Sequence, residues 1–427
     1  MTWVRLPIKR LGDVFLGKMI QPEPKSRSDV AAPYLRAAHV QPNGQIIDAD
    51  DKTMWFSEEE LRLHDLRAGD VVIVEGGAGY GRSAVLRTER KGWGFQNSIV
   101  RVRPCPSKAE GRFLDYALQA ALAAGEIGIA CFTATIPHFT ADKVGAFLVP
   151  APPVREQRAV ADFLDRETAR IDILIEEQHR LIDMLQERRK ALVEEIVFGG
   201  LDGSATSANV EPWLPATPAH WRVMQLGFMS DTLAGYAFPS EGFSSDEDHV
   251  RLLRGVNVKP GRIDWADVVY WDSHAAPVPV EFDLQAGDLV FGMDRPFVGG
   301  GVRIATISRE DLPALLLQRV MRIRPEGEED PAYVRYVMAT EAFYDYLEPL
   351  FTGVSVPHVS EWQVRKFKMP FPPLDEQRRI ARHLDAQTAK IDTLIAEAER
   401  FIELSRERRS ALIMAAVNGQ IDVREAA

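Results

Sequence analysis

One stretch of this chain occurs twice. Phe147 to Asp202 returns as Phe367 to Asp422, at a constant offset of 220 residues and without a gap, and 27 of the 56 aligned positions are identical. Unrelated segments match at only a few positions, so this is a duplicated module, and a fixed period reports architecture before any local motif does. Two copies at so long a period exclude a solenoid. The chain of 427 residues is built as variable block, shared block, variable block, shared block. The boundaries fall at 1–150, 151–203, 204–366 and 367–427, with a small polar linker at Ser204–Asn209.

Each shared block opens with a short apolar strand and a proline pair, Pro152-Pro153 or Pro372-Pro373. Proline fixes φ and lacks a donor, so it ends the strand and admits a new element. A helix is predicted to start near Glu156 and Glu376, where acidic residues suit the positive end of the helix dipole. A seven-residue spacing follows: Leu164, Ile171, Gln178, Leu185 and Leu192, repeated as Leu384, Ile391, Ala398, Ser405 and Leu412. Val160, Leu174 and Leu181, with Ile380, Leu394 and Phe401, are the expected companions. Such a seam argues for a coiled coil. Gly199 and Gly419 stand where a helix stops. About 40 helical residues run roughly 60 Å. Two homologous helices in one chain are expected to pair antiparallel with internal pseudo-two-fold symmetry. The variable blocks would then lie at opposite ends of the pair.

The variable blocks are related to each other more faintly. Leu66 to Val71 (LRAGDV) matches Leu284 to Leu289 (LQAGDL), and Arg101 to Pro104 matches Arg322 to Pro325. Leu35-Arg36 matches Leu253-Arg254, and Thr135 to Thr140 matches Ser355 to Ser360. The blocks read as α+β, with β-rich runs at Asp70 to Val74 and Asp288 to Phe291 between turn residues. Helices are predicted near Arg112–Ala124 and Tyr333–Leu347. The fold class is therefore α+β: two α+β blocks on an antiparallel coiled coil of two long helices.

Composition limits the function. Hydrophobic residues make up 46% and charged residues 26%, as in ordinary soluble proteins. There is no apolar run of about 18 residues. The N-terminus lacks the apolar core and cleavage site of a signal peptide. Cys105 and Cys131 form no spaced framework and read as reduced thiols of a cytoplasmic protein. Net charge is −11, spread as +2, −4, −9 and zero over the four segments. Total charge alone would not suggest DNA.

Catalytic signatures are mostly missing. Gly76 to Gly81 (GGAGYG) lacks the Lys-Ser/Thr of a phosphate loop and reads as a turn or a close backbone approach to a partner. Gly299-Gly300-Gly301 lies at the corresponding place, and an arginine, Arg82 or Arg303, stands beside each loop. Asp70, Glu89 and Lys91 could hold Mg²⁺ for phosphodiester cleavage, but the second block keeps only Asp288. Both aspartates read better as turn closers. His138 and His358 repeat without a second ligand at metal spacing. Thr140 and Ser360 read as helix N-caps, Ser360 in a capping box with Gln363.

Two diverged blocks alternating with two similar helices, each opened by Pro-Pro-x-x-Glu-Gln-Arg (Pro152 to Arg158, Pro372 to Arg378), resemble the specificity subunit of type I restriction-modification enzymes. The Ile-Asp steps at Ile171 and Ile391 and the Pro-x-His-Trp lead-in at Pro218 to Trp221 carry the resemblance further. It implies that each block is a target recognition domain reading one half of a split site in double-stranded DNA. It implies that the helices set the gap and bind two methyltransferase subunits, with restriction subunits joining for cleavage. S-adenosylmethionine, ATP and Mg²⁺ would belong to those partners, and this chain would bind no cofactor or metal and catalyse nothing. Neither an Asn-Pro-Pro-aromatic motif nor a Walker A loop occurs. DNA-contact candidates are Arg36, Tyr80, Arg82, Lys91 and Asn97 in the first block. In the second they are Arg254, Asn257, Lys259, Arg295, Arg303 and Arg319. The competing readings are a coiled-coil scaffold without a DNA role, and a self-sufficient nuclease.

Overall fold

The computed structural model describes residues 3–48, 52–131, 137–203, 211–299, 301–353, 356–421 and 423. The linker at 204–209, Thr135, Ile136, Gly300, Ser355 and Asp422 lie outside the described residues. The chain divides into two compact units, Met1–His179 with Ala398–Ala427, and Arg180–Glu397. Each unit therefore holds one variable block and part of both repeat helices. Among the described residues no helix is long and apolar enough to cross a membrane.

In the first unit Arg5–Pro7 pairs antiparallel with Leu148–Pro150. A four-stranded antiparallel sheet runs in the order Gly12–Leu16, Ile99–Pro104, Val71–Val74, Ser83–Val85. A second sheet orders Thr53–Phe56, Val30–Leu35 and Gly94–Phe95, its first pair antiparallel and its second parallel. All four side chains of Val71–Val74 are buried, because both faces of the strand are covered. Alternation sends Val71 and Ile73 into one core and Val72 and Val74 into another.

The second unit repeats this plan. Arg222–Gln225 pairs with Lys368–Phe371. The four-stranded order is Ser230–Ala234, Val320–Pro325, Leu289–Gly292, Ile304–Thr306. Tyr270–Trp271, Val250–Leu253 and Ala314–Leu316 form the three-stranded sheet, again with one antiparallel and one parallel pair. Leu289 and Phe291 face one core and Val290 the other. Gly111–Ala123 matches the helix expected in the first block. The helix expected at Tyr333–Leu347 is instead two, Pro331–Met338 and Glu341–Leu347. The break falls at Thr340, whose hydroxyl donates to the Val337 carbonyl at 2.6 Å, a local bond that competes with helix continuation.

The repeat helices span Val154–Gly199 and Leu374–Val417. Each opens two residues earlier than the acidic signal suggested. The carbonyl of the second proline already accepts from the amides three and four residues on: Glu156 at 2.8 Å and Gln157 at 3.0 Å, and likewise Glu376 and Gln377. Gly200 and Gly419 follow the helix ends with φ of 72° and 71°, the left-handed stop that glycine adopts without strain.

The helices pair reciprocally. In the first unit Arg409 Nε donates to Asp172 Oδ1 at 3.0 Å, while Val160 and Leu164 share a core with Ile413 and Val417. In the second unit Arg189 Nε donates to Asp392 Oδ1 at 3.0 Å, and Val193 and Val197 share a core with Ile380 and Leu384. In both, the pairing is antiparallel. An offset of 220 turns one ion pair into the other, so the duplicated sequence makes the same contact within each unit.

The seam needs one correction. Leu164, Ile171, Leu185, Leu384, Ile391, Ala398 and Ser405 are buried, and Leu192 and Leu412 half-buried. The companions Leu174, Leu181, Leu394 and Phe401 are exposed. Heptad spacing admits a partner three or four residues on, and burial selects four: Thr168, Ile175, Ile182 and Arg189, with Thr388, Ile395, Ile402 and Arg409. Polar residues at four of those eight places concealed the true stripe. Thr168 and Thr388 fit there because each donates back to the carbonyl four residues earlier, Leu164 or Leu384.

Candidate nucleic-acid interface

The helices hold the blocks through the same side chains in both units. Gln157, almost fully buried, accepts from Glu110 N at 2.8 Å and donates to the carbonyls of Lys108 and Pro152. Gln377 accepts from Asp330 N at 2.9 Å and donates to Glu328 and Pro372. These bonds explain why the glutamine recurs at the same place in both openings. The glutamine satisfies main-chain groups that would otherwise be buried without partners.

Asp70 closes a turn by accepting from Arg67 N at 2.8 Å, and Arg103 meets both of its carboxylate oxygens, at 2.8 and 2.7 Å. Asp288 does the same with Gln285 N and Arg324. An arginine fork already fills the carboxylate a nuclease site would need. Among the described residues no group of three His, Cys, Asp or Glu side chains is placed to hold a metal ion.

A second duplicated junction lies where the central strand ends. In the first block Glu75 N donates to Ser98 O at 2.9 Å, Phe139 N donates to Glu75 O at 2.7 Å, and Gly76 bridges His138. In the second, Met293 N donates to Arg319 O at 2.9 Å, Val359 N donates to Met293 O at 3.0 Å, and Asp294 bridges His358. The repeated histidine segment is thus a main-chain clasp. The N-caps beside it form as expected: Thr140 accepts from Lys143 N, and Ser360 from Gln363 N in a capping box.

Most candidates gather at these junctions. In the first block Arg36 starts a turn beside Asn97 and Ser98, since Gln96 N donates to Leu35 O and Ala37 N to Ser98 Oγ. Tyr80 and Arg82 belong to the glycine loop around the 3-10 turn Gly77–Gly79, and Val74 N donates to Arg82 O. Tyr80 is half-buried against the helix-facing core. Lys91 lies apart: its turn is tied to Leu66, before the central strand, through Arg90 N.

In the second block Arg303 connects two loops. Its Nε donates to Val258 O at 3.0 Å and its Nη1 to Asp294 O at 2.7 Å. Burial, the largest cause, lowers its pKa from the ordinary value. Arg303 therefore braces the site rather than facing solvent. Asn257 is fully buried: it accepts from Arg254 N and donates to the carbonyls of Asp264 and Asp267. The Arg254 guanidinium is engaged by Asp267 at 2.6 Å. Lys259 is half-buried, and Arg295 and Arg319 are exposed. The reading of the sequence passed over Asp294, which joins Arg303 through its carbonyl and Arg319 through its carboxylate at 3.9 Å. Its signal was positional: it stands where the first block has Gly76, the partner of the repeated histidine.

The family model for the type I restriction modification DNA specificity domain matches residues 281–401. The specificity subunit of the type I restriction enzyme MjaVIII from Methanocaldococcus jannaschii is 27% identical over 290 residues, 68% of this chain and 65% of that one. The EcoAI specificity subunit from Escherichia coli is 33% identical over 169 residues, 39% of this chain and 28% of its own length. The matched stretches thus cover less than two thirds of either relative. A solved structure from work on complex assembly and conformational transition of the type I R-M system has a TM-score of 0.73 at 17% identity, covering 98% of both chains. The HsdS subunit from Thermoanaerobacter tengcongensis gives 0.53 at 18% identity, covering 98% of this chain and 97% of its own. At such identities the structures establish the fold alone. In duplicated architecture, in the matched family model and in its relatives, this chain is similar to the specificity subunits of type I restriction-modification enzymes.

Proposed function

We propose that this chain reads a bipartite, gapped DNA target for a type I restriction-modification complex, one half-site per variable block. The observation that carries the proposal is the duplicated junction. The same hydrogen-bonded frame is built twice, and it presents glycines with Ser98 in one block and arginines in the other. A frame repeated while its loops diverge is what two readers of different half-sites require. Each reader alone would bind weakly. Joined at a fixed separation, they gain affinity only where both half-sites occur at the right gap. Phosphate contacts would set register and side chains at base edges would give sequence.

The long helices, each contributing to both units, would serve as the spacer and as the dock for two methyltransferase subunits, with restriction subunits joining for cleavage. The chain itself is proposed to be non-catalytic. S-adenosylmethionine would act on the methyltransferase subunits at adenine N6, and ATP and Mg²⁺ on the restriction subunits. The test is co-expression with the methyltransferase partner, followed by mapping of methylated adenines in the host genome. A split motif that vanishes without this chain is the expected result. No new methylation, with the partner folded and bound, would overturn the proposal in favour of a scaffold.

A further inference from the structure

Resting on the reading of the chain as a DNA-recognition subunit, we infer that Arg295 and Arg319 form a paired fork with which the second block reads a guanine in its half-site. Among the described residues these are the two non-glycine positions with positive φ, 44° and 68°. L side chains adopt that region reluctantly, and such residues persist where the surroundings over-determine them. Here the surroundings do so. Arg295 N donates to Pro357 O at 2.7 Å, and Arg319 O accepts from Met293 N at 2.9 Å. Both arginines are thereby fixed in one clasp on either side of Asp294.

The first block shows that the frame does not need them. Sheet register aligns Gly292↔Val320 with Val74↔Ile99, so Arg295 matches Gly77 and Arg319 matches Ser98. Gly77 takes φ of 77°, the same left-handed turn occupied by the residue that fits it. Placing arginine there worsens the backbone, so its use lies in the side chain.

Both side chains are exposed. Arg319 Nη1 lies 3.9 Å from Asp294 Oδ1, a loose ion pair beyond hydrogen-bond distance that leaves its fork open. Arg303 lies beneath, close enough that the charge of Arg295 lowers its pKa after the larger effect of burial. Arg295, Arg303 and Arg319 are gathered at this junction with Asp294, three cationic side chains to one carboxylate in a segment whose net charge is −9. A phosphate would be satisfied by any nearby cation. An open guanidinium on a main chain that the clasp holds in place suits guanine, whose O6 and N7 accept two parallel bonds in the major groove.

The test uses the full chain with its methyltransferase partner, S-adenosylmethionine and a pool of randomised duplex DNA, with methylated adenines mapped by sequencing. Arg295→Gly and Arg319→Asn should leave one half of the motif intact and relax a G·C position in the other, the preference falling roughly tenfold or more. Arg295→Lys should relax the same position, since lysine keeps the charge but not the fork. Thermal unfolding should show Arg295→Gly no less stable than the wild type. A structural role for Arg295 predicts a lower Tm, and that result overturns the inference. So does an unchanged motif, or methylation weakened evenly without loss of any one preference. A wild-type complex that yields no split motif at all would instead overturn the functional reading on which the inference rests.

Discussion

Asp165 and Asp385 stand at equivalent places on the two repeat helices, and their surroundings differ. Asp165 takes Arg87 through both oxygens at 2.8 and 2.7 Å, Tyr116 at 2.8 Å and Arg112 at 2.9 Å. Asp385 takes Tyr336 at 2.7 Å and Arg335 at 3.3 Å. Behind both, the tyrosine also meets a helix threonine, Thr168 or Thr388. The tyrosine–aspartate–threonine set is therefore common to both anchors, and the ionic cluster belongs to the first alone. What the duplication kept is a buried tyrosine that meets a buried threonine and one aspartate where block joins helix. What diverged is the half-exposed charge around it.

If that division is right, the largest effect should be symmetric. Gln157→Leu and Gln377→Leu each strand buried main-chain groups. Each should cost about 3 kcal/mol, roughly 6–12 °C in the melting of a unit of this size. Calorimetry of the two variants tests it, and a silent substitution in either unit would break the equivalence.

The next effect should be confined to one unit. Asp115 lies fully buried one residue before Tyr116, where the second unit has Arg335. Burial pushes its pKa up to about 6, against hydrogen bonds from Ser83 and Gln119 that pull it down. An acid whose pKa is raised on folding is no burden below pH 4, where folded and unfolded chains both hold the proton. Stability falls as pH rises through 4 to 6. Asp115→Asn should therefore be neutral near pH 4 and stabilising by about 2 kcal/mol above pH 7. A stability difference independent of pH would show that the carboxyl titrates normally.

Asp165 has the opposite sign. Burial would raise its pKa, but hydrogen bonds from Arg87, Tyr116 and Arg112 outweigh it and hold the group down at about 2. Its contribution is present above pH 4 and lost as pH falls toward 2. With screening allowed for, Asp165→Asn should cost about 1–2 kcal/mol near neutral pH, and Asp385→Asn less than about 1. Equal losses, measured by thermal unfolding at pH 7, would mean that the extra arginines add nothing.

Much of this was legible in the sequence, for reasons specific to each part. The duplication, the Pro-Pro-x-x-Glu-Gln opening and the α+β alternation were visible because identical residues do identical structural tasks, as Gln157 and Gln377 do. The seam was half legible. Its buried leucines and isoleucines stood out, but Thr168, Thr388 and the two arginines occupy the companion stripe, where apolar residues were sought. Leu174 and Phe401, one position away, looked better and are exposed. The site was legible as a set of loops and less so by residue. Sequence spacing cannot distinguish an arginine that braces two loops, Arg303, from those facing solvent, Arg295 and Arg319. Left-handed backbone at an arginine leaves no trace in composition.

The smallest expected effect probes the duplication itself. Arg409–Asp172 and Arg189–Asp392 are the same ion pair written twice, yet their exposures differ. The side chains of the first pair are 14% and 32% exposed, those of the second 40% and 54%. Arg409 also donates to Asn43 O at 3.1 Å. Screening weakens the more exposed pair, so a double-mutant cycle to alanine should return about 1 kcal/mol for Arg409–Asp172 and about 0.3 for Arg189–Asp392. Raising the salt concentration should shrink both, the second nearly to zero. Coupling of equal size in both units would mean that helix geometry sets the strength of these pairs. Unequal coupling would mean that each block tunes the helix contact within its own unit, as the Asp165 cluster already does on a larger scale.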